Sequence, residues 1–194
     1  MTFDQAEYEA MTFEQLEPTK LEDIIFYDCT FQDCKLAEVS LKRAEFTECT
    51  FVNCDLSMAN VTDVRFVEVV FRKSNLTGIN WSVIAKDNHL SVGVSFEECG
   101  LTYGTLRGLD LQGCSFKDCL THDVDFTDAL LTKADFAGCD LQGSVFASCN
   151  LAEANFVGAK NYQIDVCDNN VRKAKFSFPE VMGLLAGSGI DLVR

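Results

Sequence analysis

Ten cysteines, two histidines and thirty carboxylates are the residues with chemistry to offer in this 194-residue chain. A thiolate metal site needs cysteines in close pairs, such as Cys-x-x-Cys, with histidine or further cysteine converging on them. Here Cys29, Cys34, Cys49, Cys54, Cys99, Cys114, Cys119, Cys139 and Cys149 are separated by multiples of five, and only Cys167 is off that phase. That spacing spreads them along a repeat instead of gathering them. They read as small buried hydrophobes, which implies a reducing, cytoplasmic setting and no metal or other cofactor. His122, Asp123 and Asp125 could be drawn as an acid–base group, but all three fall on outward positions with no cleft implied. No glycine-rich phosphate loop or His-Glu-x-x-His pair occurs. The expectation is a protein without catalytic function.

The elements that place these residues follow from a five-residue beat. From Leu21 to Phe176, 28 of 32 positions on one phase are apolar, and thirteen of the sixteen phenylalanines lie on it. The phase two residues earlier is small: Ile24, Cys29, Cys34, Val39, Ala44, Cys49 and onward to Ala174. Lys86 is the one charged residue on either phase. A period of five fits neither a helix nor an alternating strand. It fits a chain that turns a corner every five residues, with one large and one small side chain inside each wall. Four walls follow from the twenty-residue recurrence of Phe26/Phe46/Phe66, Phe31/Phe51/Phe71 and Phe96/Phe116/Phe136/Phe156/Phe176. Like residues then stack about 4.8 Å apart, and each coil is stabilised by its neighbours. The predicted fold class is all-β, a quadrilateral β-helix closed by a short C-terminal α-helix.

Three segments depart from the beat. Residues 1–20 are expected to cap the first coil, whose edge would otherwise be open. Residues 82–95 break the pattern, with Lys86, Asp87, Asn88 and His89 in place of the code, and the beat returns at Phe96 without net insertion. This is either an irregular coil or a partner-contacting loop on a rigid scaffold. In 177–194, Ser177-Phe178-Pro179-Glu180 has capping-box spacing. Phe178, Val181, Met182, Leu184, Leu185, Ile190 and Leu192 are the apolar residues there. They are expected to plug the last coil and to join two copies in an isologous dimer.

Charge supplies the candidate function. Sixteen basic against thirty acidic residues give −14, which disfavours direct binding to nucleic acid or an anionic membrane. The position two after the beat carries thirteen acids, and counting in twenties places Asp28, Glu48, Glu68, Asp128 and Asp168 on one line. Eight coils make a rod of about 38 Å. A net −14 is then one charge per about 2.7 Å, against about 1.7 Å for duplex DNA. A tail-to-tail dimer would be roughly 75 Å long. The simple alternative is a solvated face that keeps the rod soluble.

The segments Cys-Asp-Leu-Ser-Met (54–58), Ala-Asp-Phe-Ala-Gly (134–138), Cys-Asp-Leu-Gln-Gly (139–143) and Ala-Asn-Phe-Val-Gly (154–158) resemble the A(D/N)LXX unit of the pentapeptide-repeat superfamily. That resemblance implies a right-handed quadrilateral β-helix over residues 21–176. In size, in the mid-chain break and in the tail from Asn161 to Ile190, the chain is similar to the topoisomerase-protecting group. This group comprises the Qnr quinolone-resistance proteins, the mycobacterial MfpA type and the albicidin-immunity type. It differs from many Qnr proteins in its unbroken beat from Phe26 to Trp81. The resemblance implies a DNA-mimicking homodimer that binds DNA gyrase or topoisomerase IV. It would counter a quinolone or a gyrase-directed toxin. The alternative is a scaffold solenoid for another protein partner.

Overall fold

The computed structural model describes residues 5–85 and 94–185. The chain winds into a parallel β-solenoid with four walls. Wall A carries Glu7–Glu9, Ile25–Tyr27, Glu45–Thr47 and Arg65–Val67 in register, and later Asp110, Leu130, Asn150 and Asn170. Wall B carries Thr12–Glu14, Thr30–Gln32, Thr50–Val52, Val70–Arg72 and Ser95–Glu97, then Ser115, Asp135 and Asn155, with Lys175–Phe176 last. Wall C stacks Lys35, Asp55, Asn75, Gly100, Leu120, Asp140 and Lys160. Wall D stacks Lys20, Ser40, Asn60, Asn80, Thr105, Asp125 and Val145.

The beat residues fill the interior. Nine phenylalanines form one ladder inside wall B: Phe13, Phe31, Phe51, Phe71, Phe96, Phe116, Phe136, Phe156 and Phe176. Successive rings stack 4.6–5.5 Å apart. The small inward positions do a second job. A thiol there donates to a carbonyl one rung below, as Cys49 Sγ does to Phe26 O (3.4 Å) and Cys149 Sγ to Phe126 O (3.0 Å). Asn169 Nδ2 does the same to Phe146 O at 3.0 Å. Buried carbonyls are thereby satisfied, which explains why cysteine is so common on this phase. Nine cysteines are buried thiols outside any disulfide, and Cys167 is exposed.

Most walls end in a left-handed corner two residues after the beat, up to four in each coil. Glycine and Asp or Asn tolerate that backbone best. Six glycines and 23 other residues have positive φ among the described residues. The Asp or Asn before the beat residue supports the turn, as Asp55 Oδ1 does by accepting from Ser57 N at 3.0 Å. Stacked copies bond to each other, Asn75 Nδ2 to Asp55 Oδ1 at 3.0 Å and Asn155 Nδ2 to Asp135 Oδ1 at 2.8 Å. The D/N of the repeat thus serves both its own corner and the rung above.

The structure departs from the sequence reading in four places. First, winding begins before Leu21, because Glu7–Glu9 and Thr12–Glu14 pair with the next coil and bury Tyr8 and Phe13. The offset there is eighteen residues, so a search for twenties passes over it. Second, the mid-chain break does contain an insertion. Phe71 pairs with Phe96 and Asn80 bridges Thr105, offsets of 25 in place of 20. One extra pentapeptide leaves the beat intact and moves every later residue to a different wall. Lys86, Asp87, Asn88 and His89 lie outside the described residues. Third, Phe146 bridges Ile164, not Val166. Ile164 is buried and Val166 only half-buried. Fourth, the expected terminal α-helix is a 3-10 segment, Glu180–Leu185, with Met182 N donating to Pro179 O at 3.1 Å. Gly183 in its middle weakens helix propagation.

Candidate partner-binding surface

The inserted pentapeptide splits the five carboxylates expected on one line. Asp28, Glu48 and Glu68 do stack, at the corner between walls A and B. The same corner continues with Gly113, Lys133, Glu153 and Lys173. Asp128 and Asp168 lie instead at the corner between walls D and A, in line with Gly108 and Ser148. The expected single acidic line does not exist, because the wall changes between Glu68 and Gly108. The basic residues divide as well: Arg72 is on wall B, Lys133 and Lys173 on the corner above Glu68.

Local chemistry separates the two groups further. Arg107 Nη2 pairs with Asp128 Oδ2 at 3.1 Å. Asp168 Oδ2 accepts from Ser148 N at 2.8 Å. Elsewhere acids also face cations on adjacent rungs, as in Arg43–Asp23 at 2.5 Å and Arg72–Glu97 at 2.9 Å. The Arg43 guanidinium holds the Asp23 carboxyl below its ordinary value. Among the described residues, no cation lies within ion-pair distance of Asp28, Glu48 or Glu68. All three are exposed. Tyr27 Oη donates to Glu48 Oε1 at 3.0 Å, and Glu48, then Asp28 and Glu9, push the Tyr27 phenol above its ordinary pKa.

Like charges stacked directly opposite one another are destabilising. The backbone explains part of the pattern. Of the twelve acids at left-handed corners, seven are Asp, which that backbone tolerates. Five are Glu: Glu38, Glu48, Glu68, Glu98 and Glu153. Glutamate gains no such local benefit, so its charge needs another reason. Glu7, Glu9 and Glu45 extend the field across wall A. Glu45 was legible from the twenty-residue repeat but sits beside the beat, not two after it, and the eighteen-residue offset hides Glu7 and Glu9.

The acidic corner is convex. Among the described residues no group of three or more His, Cys, Asp or Glu is placed to hold a metal ion. His122 Nε2 lies 3.2 Å from Asp140 Oδ2 on the next rung, a surface pair well removed from this corner. Of the tail residues named for dimerisation, Phe178 is 81% exposed, Met182 exposed, Val181 and Leu185 half-buried, and Leu184 packs against the core. Ile190 and Leu192 lie outside the described residues.

A family model described as a pentapeptide repeat region matches residues 24–87 and 92–160. The chain belongs to the pentapeptide-repeat family. The gap between the matched segments lies between Ala85 and Val94, the described residues on either side of the change in offset. Among solved structures, this pentapeptide-repeat protein is similar to full-length QnrB1, a plasmid-mediated fluoroquinolone resistance protein. Identity is 15%, coverage is 95% of this chain and 100% of that one, and the TM-score is 0.72. A trypsin-treated QnrB1 variant matches at TM-score 0.75 and 15% identity, covering 96% and 97%. HetL, involved in heterocyst differentiation regulation in the cyanobacterium Nostoc sp., matches at TM-score 0.59 and 17% identity, covering 87% and 81%. No curated protein matches. At these identities the likeness carries the fold. Among the described residues no helix is long and apolar enough to cross a membrane.

Proposed function

We propose that this pentapeptide-repeat protein is a non-catalytic, cytoplasmic DNA mimic that binds DNA gyrase or topoisomerase IV. It counters a quinolone or a gyrase-directed toxin. The observation that carries the reading is the carboxylate stack Asp28–Glu48–Glu68 on three successive rungs of a rigid rod, with no cation within ion-pair distance among the described residues. A likeness to QnrB1 over nearly the whole chain agrees with it. Carboxylates at rung spacing stand in for phosphates, and a basic DNA groove supplies the Lys and Arg that the corner lacks. In the full assembly, two copies joined through the tail around Phe178, Met182 and Leu184 lengthen the mimic. Residues 86–89 add contacts of their own.

The test is affinity for purified gyrase as salt rises. The wild-type protein is expected to bind with steep salt dependence. Reversing Asp28, Glu48 and Glu68 together to Lys abolishes binding while the rod still unfolds cooperatively at an unchanged temperature. Equal affinity in the triple variant contradicts the mimic reading. It favours the alternative, a scaffold for another protein whose charge serves solubility.

A further inference from the structure

Wall C contains a window without charge. Between Asp55 and Asp123 its outward residues are Ser57, Met58, Asn75, Thr77, Gly78, Gly100, Thr102, Tyr103, Leu120 and His122. In a chain with 24% charged residues, two successive rungs with no charge, flanked by rungs with one carboxylate each, stand out. Three large apolar side chains project from it: Met58 is 60% exposed, Tyr103 67% and Leu120 54%.

Two of them occupy costly backbone. Met58 (φ 57°) and Tyr103 (φ 60°) sit at left-handed corners, where glycine or Asn/Asp is the easy choice and bulky residues are strained. The rung between them holds Gly78 at φ 73°. Met58 Sδ lies 2.2 Å from where a Cβ on residue 78 would be, so the glycine seats the methionine. Tyr103 follows one rung further on. The edge therefore presents a thioether and a phenol ring about 10 Å apart along the rod. Carboxylates close the window at both ends: Glu38 and Asp55 below, Asp123 and Asp140 above. No cation stands on this corner from Glu38 to Gly143.

We propose that this window is a second protein-docking surface. It fits a partner segment that offers an apolar side chain flanked by Arg or Lys. The apolar group is buried against Met58. The cations meet Glu38, Asp55, Asp123 and Asp140, and one guanidinium stacks on the Tyr103 ring. A flat strip with one apolar centre and charged margins has the anatomy of a protein interface. Wall C faces away from wall A across the coil. A partner resting on the Asp28 corner leaves it open, so the inference stands whether or not that corner binds a topoisomerase.

The test is NMR on the intact protein, titrated with a short synthetic peptide that alternates arginine and leucine. A lysine–serine peptide of equal charge is the control. The first peptide is expected to give saturable shifts at the Met58 methyl and the Tyr103 ring, and the control none there. In Met58→Asn/Tyr103→Asn the affinity falls about tenfold. Asparagine accepts the left-handed corner, so the variant's Tm is unchanged or raised by roughly 2–4 °C, and misfolding is ruled out as the cause. Three results overturn the proposal: no saturable shifts at wall C, equal shifts with both peptides, or undiminished binding by the double variant.

Discussion

Phe71 and Phe96 stack with ring centroids 5.5 Å apart and planes 9° from parallel, although 25 residues separate them. Below them Phe51 and Phe71 are twenty apart, and above them so are Phe96 and Phe116, in the same unbroken ladder. The extra five residues cost the interior nothing, because five is the period of a wall. Outside, the consequence is large, since every surface residue beyond the insertion is turned by one wall. Cys99 Sγ records the same shift, bonding to Phe71 O across 28 residues where Cys49, Cys54, Cys139 and Cys149 reach across 23.

This relationship predicts how charge reversals combine. Glu48→Lys and Glu68→Lys share a corner, so their effects on partner affinity should be non-additive. Glu48→Lys and Asp128→Lys lie on different corners and should add independently. Asp128→Lys also breaks the Arg107 pair, an exposed contact worth about 0–1 kcal/mol of stability. Double-mutant cycles of binding read both outcomes. Strong coupling between Glu48 and Asp128 would contradict the wall assignment.

Tyr27 reports on the acidic corner directly. Its phenol is raised by Glu48 first, then by Asp28 and Glu9. Glu48→Gln is expected to bring the Tyr27 titration down towards its ordinary value of 10.0. Reversing Glu48 to Lys should take it lower still. Ring-resonance titration checks this, and an unchanged midpoint in Glu48→Gln would show that no such field exists.

The fold was legible because the code is interior. Phe116, Cys139 and Leu141 each sit where the five-residue count puts them. What escaped was whatever changed the count by an amount the beat cannot see. An insertion of five residues keeps Phe96 in phase and hides the turn of the walls. The eighteen-residue offset hides Tyr8 and Phe13, and Ile164 displaces Val166 by a slip of two. The acidic line failed for this reason, not because its carboxylates were misread. Pairing was also invisible: nothing in the sequence distinguishes Asp128, held by Arg107, from Glu68, which has no such partner among the described residues.

The ladder should fail as a unit. Phe116 is fully buried between Phe96 and Phe136, 5.2 and 4.9 Å away. Phe116→Ala is expected to cost about 3–5 kcal/mol, the range for a large core cavity. In a stack where each rung relies on its neighbours, the loss should lower the midpoint of urea unfolding for the whole rod. A cost below about 1 kcal/mol would contradict a close-packed ladder.

The cysteines give a pH signature. Burial pushes the Cys49, Cys114 and Cys139 thiols up to about 12. The unfolded chain ionises them from about pH 8.5. Between that pH and 12 the unfolded state therefore holds fewer protons than the folded one. Stability is unaffected below this window and falls through it by up to about 1.4 kcal/mol per thiol per pH unit. Denaturant midpoints measured from pH 7 to 11 test the slope. In the native protein at neutral pH only the exposed Cys167 should react quickly with a thiol reagent, and all ten cysteines after unfolding.

The central claim is that the Asp28–Glu48–Glu68 corner occupies the place of DNA on a type II topoisomerase. The most direct measurement is gyrase supercoiling in the presence of a fluoroquinolone, with added wild-type protein or the triple charge-reversal variant. The account predicts that wild type restores supercoiling and the variant does not. Equal rescue by both, or no effect of the wild-type protein at tens of micromolar, would contradict it.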